Sequence, residues 1–128
     1  MRTFVRLTTV LVAVVLFGAA GAGRAIAQPM PDGVRAAGGA LLDPRGRPLY
    51  TFKWDTMKGM SHCEGECAKV WPPFLAPADA KPFGDWTIIA RGDGSHQWVY
   101  KDKPLYLFAK DMPGQAAAGV SQNWDLAH

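Results

Sequence analysis

The chain has 128 residues, of which 48% are hydrophobic and 20% are charged, and its formal net charge is +3. Three of its 14 Lys and Arg residues lie in an N-terminal leader, and without that leader the 11 remaining cations equal the 11 Asp and Glu residues. The product would be neutral and has no Lys/Arg cluster, so it lacks the basic patch of a nucleic-acid-binding protein. It also has no net charge that would attract it to an anionic membrane surface.

The predicted leader occupies residues 1–27. Two arginines precede an apolar run over 7–20, and residues 25–27 read Ala-Ile-Ala, the small-residue pattern of a cleavage site. The run is shorter than the ~20 residues of a membrane-spanning helix. We therefore expect a secretory signal that is cut before Gln28. The product would be soluble, secreted or periplasmic, free of the membrane, and short enough to form one domain.

The first half of this product is predicted to consist of a loose arm and a hairpin. Residues 28–34 are rich in proline and are expected to form a flexible N-terminal arm. A first strand over 37–42 is weakened by its two glycines. Residues 43–46 read Asp-Pro-Arg-Gly, which is a turn signal, and a second strand over 47–52 completes the hairpin.

An insertion between the two halves is predicted to contain a short helix. Ser61 and Glu64 have the spacing of a capping box, and a helix over 62–70 would end before two prolines. Cys63 and Cys67 would then lie one turn apart on the same helix face. Because an even cysteine count in a small exported domain is typical of a disulfide, we expect a Cys63–Cys67 bridge that staples the helix.

The second half repeats the strand order of the first. Strands are predicted over 86–90, 97–100 and 103–108, because these segments are rich in β-branched and aromatic residues and are separated by turn signals. An apolar segment over 123–127 is expected to be an edge strand.

One eight-residue pattern occurs twice, at 48–55 and at 104–111. Five of its eight positions are identical, in the same order and spacing, which indicates an internal duplication. We expect the tyrosine and phenylalanine of each copy on one strand face, and the aspartate in a loop where it accepts nearby backbone N–H groups. No acid or base partner stands beside the aspartates, so a catalytic role is not indicated. The repeat-motif residues are Leu49, Tyr50, Phe52, Asp55, Leu105, Tyr106, Phe108 and Asp111.

These elements predict a mainly β fold. The domain at 35–128 is expected to be a small single domain of two duplicated antiparallel hairpin units, with one short disulfide-stapled helix between them. The first repeat spans about 35–73 and the second about 86–127. The five tryptophans are expected to fill the core, because a small domain has few other ways to bury apolar area; the alternative is a groove lined with aromatic rings.

Four features occur together: the doubled Leu-Tyr-x-Phe-x-x-Asp, the Cys-Glu-Gly-Glu-Cys-Ala-x-x-Trp-Pro-Pro segment at 63–73, the turn at Asp93, and Trp124. In this combination the chain resembles a bacterial family of secreted repeats, also described as predicted lipoproteins with a Y-x-[FWY]-x-x-D motif. The resemblance implies export and a duplicated small domain, and it implies no reaction. Lipoprotein members carry a cysteine at the cleavage site. The Ala27-Gln28 site has none, so we expect no lipid anchor.

One cluster of residues suggests a different chemistry. Met57, Met60, His62, Cys63 and Cys67 place thioether, imidazole and sulfur ligands within a short segment, and soft ligands of this kind suit Cu(I). The two cysteines alone suggest a thiol-redox pair near a helix N-terminus. The chain contains none of the common nucleophile, zinc-protease or phosphate-loop motifs, so an enzyme is not indicated.

The expected function is that of an exported, non-enzymatic binding or structural module. Its partner would be an exported protein or a small ligand that the sequence does not identify. The alternative is a periplasmic copper-binding or thiol-redox protein that uses the five-residue cluster; apart from this copper, no cofactor is expected.

Overall fold

The computed structural model describes residues 10–16, 18, 21 and 28–128. Most of the predicted signal at 1–27, including its cleavage site, therefore lies outside the described residues. Within the described part of the chain, no helix has both the length and the apolar character needed to cross a membrane. The elements of the fold all lie within 28–128.

Seven short strands and one five-residue helix make up this described domain. In chain order they are β1 (Arg35–Ala37), β2 (Ala40–Leu42), β3 (Tyr50–Phe52), α1 (Glu66–Val70), β4 (Trp86–Ala90), β5 (His96–Tyr100), β6 (Lys103–Pro104) and β7 (Trp124–Leu126). All pairing is antiparallel: β1 pairs with β2, β3 with β7, and β4, β5 and β6 form a meander. The predicted fold class is therefore confirmed.

The predicted strand over 37–42 is wrong, because a turn divides it. Gly38 and Gly39 have φ angles of 59° and 78°, a left-handed backbone that glycine adopts without steric cost. These two glycines connect β1 to β2. The predicted turn over 43–46 is present and ends at Gly46 with a φ of 84°.

The two motif segments form shorter strands than predicted. In place of strands over 47–52 and 103–108, regular pairing covers only β3 and β6. The reason is that each segment changes its pairing partner within a few residues. Tyr106, for example, makes single bridges to both Tyr50 and Pro73.

The helix is also shorter than predicted. It begins at Glu66 and not at His62, because Gly65 directly before it has a φ of 58°, outside the helical region. The predicted capping box does not form, and no side chain caps α1. Ser61 Oγ instead accepts a hydrogen bond from the backbone N–H of Cys63 at 3.2 Å.

The two repeats face each other across a local two-fold axis between Tyr50 and Tyr106. The backbone N–H of Tyr50 donates to the Tyr106 carbonyl at 2.8 Å, and the return bond is 2.9 Å. Since the two tyrosines occupy the same position in their motifs, this reciprocal pair of bonds places the axis between equivalent residues.

The repeats also exchange their last segments. Phe74 of the first repeat donates its N–H to the carbonyl of Leu105 in the second, at 2.8 Å. Ala127 of the second repeat donates to Leu49 of the first, also at 2.8 Å. Each motif therefore pairs with the segment that ends the other repeat.

Two apolar clusters form the core. The first contains the leucine of each motif with Trp86 and Trp98, and the second contains the tyrosine of each motif with Trp124, against which Trp71 packs. Trp54 is the exception, since it is 63% exposed. The tryptophans therefore mainly fill the core.

The segment 28–34, expected to be a flexible arm, contributes to the first cluster. Val34 is buried, and Met30 packs against the same cluster. The N–H of Val34 donates to the carbonyl of Pro31 at 3.0 Å, which turns the segment onto the domain surface.

Candidate functional site

The tyrosine of each motif donates a hydrogen bond to the aspartate of the other motif. Tyr106 Oη donates to Asp55 Oδ2 at 2.5 Å, and Tyr50 Oη donates to Asp111 Oδ2. Both tyrosines are fully buried, and both aspartates are buried as well. The hydrogen bonding of each motif is thus completed by the other motif.

The second carboxylate oxygen of each aspartate accepts a backbone N–H seven residues further on. Asp55 Oδ1 accepts from His62 at 2.6 Å, and Asp111 Oδ1 accepts from Ala118 at 2.9 Å. Each aspartate therefore holds a loop of its own repeat and a tyrosine of the other. The contact between repeats has no signal in the sequence, because a duplication shows which residues are equivalent and not which residues touch.

Both buried tyrosines are held in the protonated form. Burial raises the pKa of Tyr50 well above its usual value, and the hydrogen bond to the Asp111 carboxylate raises it further. Burial and then the hydrogen bond to Asp55 raise the pKa of Tyr106 in the same way. These phenols are therefore neutral donors, and each hydrogen bond that they make joins one repeat to the other.

A buried cation lies beside one of the two pairs. Arg91 is only 8% exposed. Its guanidinium donates to Gln97 Oε1 at 2.8 Å and to the Cys63 carbonyl at 2.7 Å. It also donates to Ser61 Oγ at 3.0 Å. The same Ser61 oxygen lies 2.6 Å from Tyr106 Oη. Arg91 thereby ties the loop before α1 to the β4–β5 hairpin.

The equivalent place beside Tyr50 is filled by backbone. Gly119 donates its N–H to Tyr50 Oη at 3.1 Å. A Cβ at this glycine would lie 2.6 Å from a ring carbon of Trp71 and 3.0 Å from one of Phe108. The absence of a side chain at Gly119 therefore permits this close approach of backbone to the aromatic rings.

Four aromatic rings from the two repeats form one stack. Trp71 and Trp124 lie at its centre, with ring centroids 3.8 Å apart and planes 6° from parallel. Phe52 lies 4.4 Å from Trp124, and Phe108 lies 4.7 Å from Trp71. Because Phe52 and Phe108 are equivalent motif residues, the stack follows the two-fold axis. These rings pack against one another, and none of them lines the cleft described below.

Cys63 and Cys67 form the predicted disulfide, with their Cα atoms 5.2 Å apart. The bridge connects the segment before α1 to the first turn of that helix. Neither sulfur atom is a thiolate in this state, so the pair does not supply metal ligands.

The other members of the suggested copper cluster lie on the surface. Met57 and Met60 are 55% and 48% exposed, and His62 is exposed. Across the part of the chain that the structure describes, no three His, Cys, Asp or Glu side chains are grouped so that they could hold a metal ion. The structure therefore joins the two cysteines and forms no such ligand group around them.

A cleft of about 540 Å³ lies between the N-terminal segment and the loop that follows the first repeat. Its volume is within the range of small-molecule sites, about 300–1,000 Å³. None of the motif residues lines this cleft, and the sequence did not predict it, because its lining comes from separate loops. The aromatic lining residues are Phe74, Phe83 and Trp98, and the charged ones are Asp32, Asp79 and Lys81.

These features define a duplicated β domain whose halves are held together by reciprocal tyrosine–aspartate contacts. A family model described as a secreted repeat of unknown function matches the chain twice, over residues 33–74 and 87–128. The chain therefore belongs to this secreted-repeat family, as its motifs predicted. Comparisons with curated proteins and with solved structures gave no match.

Proposed function

We propose that the protein is an exported, non-enzymatic module that binds a small ligand in the cleft described above. The observation that carries the proposal is the cleft itself, because a concave apolar surface with a few polar groups is the usual form of a ligand site. Membership of a secreted family supports export. The leader at 1–27 supports cleavage before Gln28 and release of a soluble product.

The cleft is an addition to the repeat architecture. Phe74, which lines it, and Ala127 are equivalent in the hydrogen-bond pattern of the two repeats. A depression that contains Ala127 and His128 in its lining has a volume of only about 190 Å³. The additional volume is bounded by the N-terminal segment and by the loop at 74–83, both outside the motifs. A feature that duplication does not require is a good candidate for a specific role.

The composition of the cleft supports binding over catalysis. Tyr50 and Tyr106, whose pKa values are strongly raised, are buried between the repeats and do not line the cleft. Its interior is provided by Met30, prolines and aromatic rings, which gain free energy from covering apolar ligand surface.

No specific contact supports the alternative of a copper or thiol-redox protein. Copper binding through Cys63 and Cys67 needs thiolates, and both cysteines are in the disulfide. Copper binding by Met57, Met60 and His62 alone stays a prediction from the sequence.

Saturation-transfer NMR with a panel of small apolar and aromatic molecules tests the proposal. Ala80→Phe places a ring in the cleft and should abolish saturation transfer to the molecules that bind the wild type. Ala116→Phe changes an exposed residue outside the cleft and should leave the transfer intact. Wild-type protein that gives no signal with any member of the panel, or signals that persist in folded Ala80→Phe, would contradict the proposal.

A further inference from the structure

The interior and the edge of the cleft differ in chemistry. Phe83 and Trp98 meet edge to face, with centroids 6.0 Å apart and planes at 76°, and Phe74 adds a third ring to the lining. The face of an aromatic ring carries negative electrostatic potential, so a group of rings attracts organic cations. Wherever the face of one of these rings borders the cleft, it favours a positively charged ligand with apolar surface.

The edge of the cleft carries a net negative charge. Asp32 comes from the N-terminal segment and Asp79 from the loop after the first repeat, so the two carboxylates belong to separate parts of the lining. Lys81 is the one cation among the lining residues. All three side chains are exposed, and none makes a hydrogen bond or ion pair with any other described residue. Both carboxylates are therefore available to a ligand.

We propose that this cleft binds a small organic cation, an alkyl- or arylammonium with an apolar body. The proposal rests on the proposed function and names the ligand class. Quaternary ammonium groups are held by aromatic rings, and nearby carboxylates add attraction that acts without a fixed hydrogen-bond geometry. An anionic ligand would meet two carboxylates and one ammonium. An inorganic cation would gain nothing from covering the apolar interior.

The test compares one cation with its neutral isostere. Benzyltrimethylammonium and neopentylbenzene have the same shape, since a carbon atom replaces the quaternary nitrogen. Ligand-detected NMR titrations of the full mature protein should give a dissociation constant about tenfold lower for the cation. Raising NaCl from about 20 mM to about 500 mM should weaken cation binding and leave the neutral compound unaffected.

Substitutions at the edge of the cleft assign the effect to its charges. Asp79→Asn and Asp32→Asn should each weaken binding of benzyltrimethylammonium by about threefold, and Lys81→Gln should strengthen it by a similar factor. None of these changes should alter binding of neopentylbenzene. The matched control is Asp102→Asn, an exposed aspartate outside the cleft. Its φ of 64° suits asparagine.

The outcomes separate this inference from the proposed function. Equal binding of both compounds, or cation binding unchanged in Asp32→Asn and Asp79→Asn, would overturn the choice of a cation and leave the cleft as a binding site. Binding of other panel members without any binding of benzyltrimethylammonium would do the same. Failure of the whole panel, including both of these compounds, would overturn both proposals.

Discussion

Tyr106 of the second repeat donates its hydroxyl hydrogen bond to Asp55 of the first repeat at 2.5 Å. The equivalent Tyr50 donates to Asp111. In this chain the repeated motif therefore joins the two copies of one unit, because its tyrosine and aspartate make their contact between the repeats. This explains why the aspartate follows the strand: the loop position brings the carboxylate back over the tyrosine of the other repeat.

Removing one of the buried hydroxyls should destabilise the domain. Tyr50→Phe and Tyr106→Phe should each lower the free energy of unfolding by about 2–3 kcal/mol, because a buried carboxylate loses a charge-assisted hydrogen bond. Urea denaturation followed by circular dichroism measures the change. Tyr100→Phe is the matched control, since its hydroxyl bonds no described residue; its effect should stay within about 0.5 kcal/mol.

A double-mutant cycle distinguishes contacts between repeats from contacts within a repeat. Tyr50→Phe and Asp111→Asn should be strongly non-additive, because their side chains share one hydrogen bond. Tyr50→Phe and Asp55→Asn belong to the same motif and to different pairs, so their effects should be closer to additive. Stronger coupling within the motif than between the motifs would contradict the reciprocal arrangement.

The domain should lose stability at alkaline pH. The pKa values of Tyr50 and Tyr106 are raised by burial and by their aspartates, whereas an unfolded tyrosine titrates near pH 10. Above about pH 10 the unfolded chain therefore releases protons that the folded chain retains, and the free energy of unfolding falls as pH rises. Below that pH the contribution is fully present.

Denaturation at several alkaline pH values measures this slope. Each tyrosine should contribute up to about 1.4 kcal/mol per pH unit. Tyr50→Phe and Tyr106→Phe should therefore each make the decline shallower, although both variants are less stable at neutral pH. Identical slopes in the wild type and both variants would show that other groups cause the alkaline loss.

Adding one methyl group at Gly119 should be costly. The new Cβ would lie 2.6 Å from the Trp71 ring, so the stacked rings or the backbone must shift, and we expect Gly119→Ala to lose about 1–3 kcal/mol. Gly92→Ala is the matched control, because the nearest atom to its Cβ would be a Glu64 carboxylate oxygen at 3.5 Å. Thermal melts of the two variants test the difference, and equal melting temperatures would contradict it.

The disulfide should stabilise the domain without being required for folding. Its loop spans five residues, for which the chain-entropy relation gives about 2 kcal/mol. Dithiothreitol should lower the free energy of unfolding by about this amount, and the Cys63→Ala/Cys67→Ala variant should be insensitive to it. The reduced protein and the variant should keep most of their near-ultraviolet circular dichroism, because the rings of the second cluster contact one another directly, although Cys63 and Cys67 also pack in that cluster. Complete unfolding on reduction would contradict this expectation.

The sequence predicted the features that depend on local patterns. The disulfide, the mainly β character, the β4–β5–β6 meander and the final strand follow from residue type, spacing and turn signals. The pairing of Tyr50 with Asp111 depends on how two distant segments dock, and residue type does not encode that. The burial of Arg91 could not be predicted either, because its neutral partners come from a hairpin and from a loop 28 residues away.

Local sequence patterns predicted the wrong structure where a second signal in the same segment favoured a different one. The segment over 37–42 was predicted as one strand despite its two glycines, and these glycines form the turn that divides it. Ser61 and Glu64 suggested a helix cap, but Ser61 lies in a hydrogen-bonded group with Arg91 and Tyr106. The cleft had no sequence signal, because Asp32, Asp79 and Lys81 appear as ordinary surface charges until the loops bring them around one cavity.

The exchange of end segments also dictates when the chain can fold. β3 closes against β7, whose last residue is Leu126, so the first repeat meets its partner strand only after nearly all of the polypeptide has emerged. Contacts between distant segments form late, because the intervening loop has to close first. The domain should therefore reach its final fold only after its last residues are available, because β3 has no strand partner before then.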